Sequence, residues 1–199
     1  MSKIIGISAS PRVNKYSEFF LSQCLSAVKE KAPHLEIDSF SLAGKNFSGC
    51  VDCDYCRSHF DCAQKDDLSP LLEKLKDPQI AAIILASPVY MGGMSSQAKA
   101  FLDRTVLFRR QSFYFKDKIA GAIAVGGSRN GGQDLTLMNI HAAFMIHDML
   151  VVSDQAPTAH FGGAGWARVP DGPENDDLAL ETVKNLGFKI ADLITRLHL

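Results

Sequence analysis

The chain has 199 residues, a formal net charge of −1 and 46% hydrophobic residues, enough for one domain with a full core and short for two. No basic run points to nucleic acid, no acidic tail is present, and the longest apolar run, IAAIILA at 80–86, falls far short of the ~20 residues that span a bilayer. The opening MSKIIGISAS is too briefly apolar for a signal peptide, so the expected compartment is the cytoplasm, where thiols stay reduced and structural disulfides are disfavoured.

Residues 3–8 are apolar and β-branched, which predicts a buried parallel strand. The loop SASPRVNKYS follows, then an amphipathic helix over 17–31 that Pro33 ends. Residues 35–40 read as a second strand, and a Gly- and Cys-rich loop spans 44–65. Asp66 or Asp67 is placed to cap a helix through Leu75, closed by Asp77-Pro78. The most apolar strand is 80–87, with PVYMGGMSS after it. A helix is predicted over 96–108, a buried strand over 119–125, the loop GGSRNGGQ, a helix over 134–148 and a fifth strand over 149–153. A long irregular loop over 154–175 precedes the final helix. Strands alternating with helices predict a parallel sheet covered on both faces. The expected fold is one α/β, flavodoxin-like three-layer sandwich over 1–199, its five strands in the order 2-1-3-4-5.

Ligands of such folds bind at the carboxyl ends of the strands, and three loops there are unusual. In SASPRVNKYS, Ser8, Ser10, Asn14 and Ser17 offer polar groups, Arg12 a positive fork and the helix start free N–H groups. Neither G-x-G-x-x-G nor GK[ST] is present, so a phosphomonoester such as that of FMN fits better than a dinucleotide or triphosphate. In SPVYMGGMSSQAK, Pro88 and Tyr90 stiffen a turn, and Gly92 and Gly93 let backbone approach a flat ring. The loop GGSRNGGQ carries four glycines in eight residues, with Arg129 placed near a ring edge.

These segments resemble the NADPH-dependent FMN reductase group of the flavodoxin-like superfamily. ASPRVNKYS is similar to its GSPRxNxNT loop, ASPVYMGGMSSQAKAFLDR to its SPVYxGxxSxxxKxFxDR segment, and GGSRNGGQ with DLTL to its GGxRxGGQExTL segment. The resemblance implies phosphate positions at Ser10, Arg12, Asn14 and Ser17. It implies isoalloxazine positions at Pro88, Val89, Tyr90, Met91, Gly92 and Gly93, and a third flavin loop through Gly127, Arg129 and Gly132. Ala9, Lys15-Tyr16 and Asp134 depart from the group's usual residues.

Cys50, Cys53, Cys56 and Cys62 are spaced C-x2-C-x2-C-x5-C. Such compact runs suit three corners of a [4Fe–4S] cubane, and with no second cysteine set the fourth must close the same site. Bare thiols, zinc and disulfides are the alternatives, and Asp61 and Lys65 keep the loop solvated. Cys24, in the first helix, reads as a buried small hydrophobe. The run also resembles that of the iron–sulfur flavoproteins, which implies a cluster near FMN, usually across a subunit interface, and a ferredoxin-type donor.

Two functions follow. One is an iron–sulfur flavoprotein relaying electrons to a small acceptor. The other is a cluster-free enzyme that uses NAD(P)H to reduce free flavin, quinones, azo or nitro compounds, or metal ions. A cysteine-based redox sensor is a third reading, against which stands the lack of an output domain. No dedicated acid or base is marked. His59 is expected beside the cysteines or exposed, His141 and His147 at an interface or polar surface, and His160 and Trp166 in a loop bordering the flavin or a neighbouring subunit. The relatives imply a homo-oligomer, dimer or tetramer, with Phe101, Phe108, Phe144 and Met145 as contact or core residues.

Overall fold

Apolar stretches become the inner strands. In the computed structural model, which describes residues 2–199, Lys3–Ser8 (β1), Ile80–Tyr90 (β3) and Ile119–Gly126 (β5) are adjacent, parallel and almost wholly buried. Glu36–Ser41 (β2), EIDSFS, takes the edge beside β1, where its polar residues stay partly exposed. Side chains alternate between two cores: Ile83 and Leu85 face one, Ile84 and Ala86 the other. Helices Tyr16–Lys31 (α1) and Asp177–Leu197 (α6) cover one face. Helices Ser69–Lys74 (α2), Ser96–Arg104 (α3), Val106–Arg110 (α4) and Gln133–Ile146 (α5) cover the other.

Among the described residues the sheet has seven strands rather than the five expected. Gly93–Met94 (β4) folds back antiparallel on the end of β3. The fifth column is split. Leu150–Val151 (β6) pairs with the start of β5, and Gly163–Trp166 (β7) pairs with its end. The column order is otherwise the expected one. Composition hides β7 because GAGW has no β-branched residue. Small residues are needed there: a Cβ on Gly165 would lie 2.6 Å from Phe20, and one on Gly163 2.7 Å from Val183.

The single helix expected over 96–108 is broken at Thr105. The buried Thr105 hydroxyl donates to the Leu102 carbonyl at 2.6 Å and meets His147 Nε2 at 2.8 Å. Such back-bonding bends helices. His147 and His141 are buried within the chain, which rules out the polar surface, one of the two places expected for them. Phe101, Phe108 and Phe144 belong to the core, whereas Met145 is exposed. Among the described residues no helix is long and apolar enough to cross a membrane.

Candidate functional site

The carboxyl ends of β1 and β3 are locked together by serines. Ser95 Oγ donates to the Ala9 carbonyl at 2.7 Å and accepts from Ala98 N at 3.1 Å as the cap of α3. Ser87 Oγ accepts from Ser95 N at 3.0 Å. The loops beyond these ends therefore start from fixed points.

Those loops border a cleft of about 260 Å³ whose lining includes Ser10, Arg12, Lys15, Tyr16, Ser17, Pro88, Val89, Tyr90, Gly127 and Arg168. Of the expected phosphate residues, Ser10, Arg12 and Ser17 line it. Ser10 is buried, and its hydroxyl shapes the loop by accepting from Arg12 N and donating to the Arg12 carbonyl. Asn14 does not line the cleft. It sits at φ 52°, and its N–H is taken by Glu18 at 2.9 Å. Lys15 and Arg168 were missed. Lys15 counted only as a departure from a motif, and Arg168 follows the unrecognised β7. Ser8 Oγ, buried at the end of β1, has no hydrogen-bond partner.

Met91 and Gly92, at φ 51° and 77°, form a two-residue turn between Tyr90 and Gly93. Positive φ at both positions gives the type I′ geometry that tight hairpins favour. Met91 is fully exposed. A Cβ on Gly132, at φ 98°, would lie 3.3 Å from Gly92 Cα, so the second and third loops touch there. Arg129 is not aimed at the cleft. It pairs with the buried Asp176 at 2.8 Å and lies over the Trp166 ring, whose Nε1 donates to the Gly127 carbonyl at 3.3 Å. Asp176 also takes Trp166 N and caps α6, so this network fixes the third loop.

The cysteine loop is closed at its neck. Arg104, fully buried, donates to both oxygens of Asp66 (2.7 and 3.4 Å) and to the Ser48 and Gln64 carbonyls. Asp66 thus serves two ends: it clamps Arg104, and its Oδ1 accepts from Leu68 N at 3.1 Å while Ser69 Oγ accepts from Asp66 N, the capping expected at the entry to α2. Burial pulls the Arg104 guanidinium down, but Asp66 and Cys62 outweigh it and hold the pKa above its ordinary value. Phe60 anchors the far side of the loop against Phe108 and Tyr114.

All four cysteines border one cavity of about 10 Å³, together with Arg104 and Arg110. Cys56 is buried, Cys62 intermediate, and Cys50 and Cys53 exposed. Room for one water-sized probe is too little for a cubane. Among the described residues no three His, Cys, Asp or Glu side chains stand ready to hold a metal ion. The chemistry of the donor set, four sulfurs with a guanidinium bonded to one of them, is that of a thiolate-held cluster. His59 is exposed and stacked on Tyr55 with ring centroids 4.0 Å apart, a surface arrangement. Cys24 is buried, as expected.

A groove of about 740 Å³ runs from Cys50 and Asp52 past Gly93 and Met94, at the end of the hairpin, to Ala142, Ile146 and His147. His160 is half exposed, 3.7 Å from the buried Asp154 and outside the cleft's lining.

Comparison with known proteins agrees with this layout. Residues 2–163 match the family described as NADPH-dependent FMN reductase. The chain is 43% identical over 192 residues to an iron-sulfur flavoprotein of Methanocaldococcus jannaschii, covering 96% of this chain and 97% of that one. It is 38% identical over 192 residues to an iron-sulfur flavoprotein of Methanosarcina thermophila, covering 96% and 95%. The solved flavodoxin, WrbA-like protein from Agrobacterium tumefaciens superposes with a TM-score of 0.66 at 19% identity, covering 98% and 99% of the two chains. At that identity the last likeness speaks for the fold.

Proposed function

The chain belongs to the NADPH-dependent FMN reductase family and is an FMN-dependent oxidoreductase, and from that premise we propose that it relays electrons. The path runs from a ferredoxin-type protein donor through a [4Fe–4S] cluster on Cys50, Cys53, Cys56 and Cys62 to FMN, and on to a small acceptor. The observation that carries this reading is that four thiols from one short loop border a single cavity. The iron-sulfur flavoproteins that match along nearly the whole chain support it. Bound FMN supplies hydride and single-electron chemistry, and a cluster supplies one-electron steps. The chain's own residues bind and orient. Arg12, Lys15 and Arg168 offer positive charge to a phosphate at the N-terminus of α1. Pro88, Val89, Tyr90 and Gly127 give the flat ring apolar and backbone surface.

A second copy fits the exposed apolar residues Leu135, Met138, Met145 and Ile146 of α5, beside the groove that joins the cysteines to the hairpin. Large exposed apolar surfaces of this kind mark association sites. The proposed assembly is therefore a homo-oligomer.

Iron, sulfide and flavin content of protein purified without oxygen tests the reading. About four irons and one FMN per chain are expected, with absorbance that dithionite bleaches. FMN without iron, even after anaerobic reconstitution with iron and sulfide, favours the second reading. That reading is a cluster-free NAD(P)H-dependent reductase of flavin, quinones, azo or nitro compounds, and the family's own description supports it.

A further inference from the structure

Arg104 and Arg110 both border the cysteine cavity, but their partners differ. Arg104 spends its two terminal nitrogens on Asp66 and on the two carbonyls of the loop's neck. Arg110 faces two ways. Its Nη1 donates to Cys56 Sγ at 3.3 Å, and its Nη2 meets Asp52 at 2.8 Å and Asp54 at 3.1 Å. Its own side chain is only 15% exposed, whereas those of Asp52 and Asp54 are 82% and 58% exposed. Water screens the carboxylate contacts far more than the sulfur contact. The inward bond is the one a change at Arg110 would be felt through.

Cys56 is also the best-held cysteine of the run. It lies in a 3₁₀ turn, Tyr55–Arg57, and is buried. Gln111 Nε2, from the residue after α4, donates to its carbonyl at 2.8 Å. Backbone and sulfur are thus both gripped from the end of α4. Cys50 and Cys53 are exposed and separated by Asp52 at φ 50°. On an unbroken helix, positions 104 and 110 would point about 120° apart. The break at Thr105 lets both arginines serve the same loop.

The charge argument follows. A four-thiolate cluster is anionic and becomes more so on reduction. Its potential depends on net charge, hydrogen bonds to sulfur and solvent exposure. A guanidinium N–H on a buried ligand sulfur stabilises the reduced form more than the oxidised one. We propose that Arg110 is a positioning residue of the iron–sulfur site: it fixes Cys56 as the first corner and holds the cluster's reduction potential up through its N–H···S contact. The inference rests on the electron-relay reading above.

The test uses full-length wild-type, R110Q, R110K and D52N chains, purified without oxygen and reconstituted with ferrous iron and sulfide. Iron and FMN content, iron release to a chelator and the cluster midpoint potential by EPR-monitored titration are measured on each. R110Q is expected to keep its FMN, to lose iron about tenfold faster than wild type and to show a more negative midpoint. R110K, which keeps the charge but not the planar fork, falls between the two. D52N removes only a solvent-side partner of Arg110 and stays with wild type in both readouts. The proposal is overturned by an R110Q chain that matches wild type in potential and iron release. It is equally overturned by a D52N chain that reproduces the R110Q changes, which would trace them to loop shape. A wild-type chain that takes up no iron overturns the electron-relay reading itself, and this inference with it.

Discussion

Ser10, Pro88 and Gly127 are far apart in sequence, yet they line one cleft; the four cysteines fall within thirteen residues, yet they border only a cavity too small for what they are proposed to hold. The difference lies in what fixes each region. Loops around the cleft proposed for FMN leave neighbouring parallel strands, and Ser87, Ser95, Gln133 and Asp176 tie their ends by hydrogen bonds. The cysteine loop leaves an edge strand and is held by side chains: the buried clamp of Arg104 with Asp66, the aromatic anchor Phe60, and Arg110 and Gln111 at Cys56. Spread in sequence is no obstacle when a sheet supplies the frame. Closeness in sequence does not by itself complete a site.

The largest expected effect removes the clamp. Arg104→Met leaves Asp66 and the carbonyls of Ser48 and Gln64 without their donor. Breaking a buried ion pair from one side costs about 3–5 kcal/mol. At ~2–4 °C per kcal/mol for a chain of this size, the melting temperature should fall by roughly 6–20 °C. Calorimetry reads this directly. The comparison is sharpened if protease cuts appear first within residues 46–67 while FMN affinity below the melting point is kept. It breaks if flavin affinity is lost in step with stability.

A smaller effect comes from pH. Burial, then the positive charge of Arg109, pushes His147 down from 6.5 to about 4. His141 is also pushed down, by burial. An imidazole that stays neutral when folded but takes a proton when unfolded makes unfolding bind protons. Stability is then fully present above about pH 6.5 and is lost as pH falls toward 4, by up to ~3 kcal/mol for His147 alone. Because His147 holds Thr105, which separates the two arginines, the loss should loosen the cysteine side first. Denaturant titrations at several pH values should show a flatter acid limb in His147→Gln. An unchanged limb would place the acid sensitivity elsewhere.

The sequence shows the frame more fully than the site. Apolar runs reveal the inner strands because a parallel sheet covered on both faces needs unbroken burial there. The three ligand loops are legible because glycine, proline and polar residues cluster at predicted strand ends. β7 is hidden because its glycines answer to pressure from Phe20 and Val183, a tertiary fact. The helix break is hidden because Thr105 finds His147 more than forty positions away. Arg104 has a sequence signal of its own: a charge among Phe101, Leu107 and Phe108 on an apolar face marks a buried pair. Arg129 was drawn toward the cleft by its loop, but the buried Asp176, remote in sequence, takes it instead.

The smallest effect tests the flavin side. Met91 holds the first turn position of the hairpin at φ 51° with its side chain fully exposed. A bulky residue in the left-handed region costs about 1–2 kcal/mol, and asparagine before glycine is the preferred pair for this turn. Met91→Asn should therefore raise the melting temperature of the flavin-free chain by about 2–8 °C. In the proposed function the hairpin borders the FMN, so a contact of the Met91 side chain with the ring or with a second copy would be lost in this variant. The same variant should then bind FMN more weakly or self-associate less, in fluorescence and sedimentation measurements. A gain in stability with neither loss would mean that the hairpin is a passive connection. The preformed character of the cleft would then rest on the ties made by Ser87, Ser95, Gln133 and Asp176 and on the Gly92–Gly132 contact.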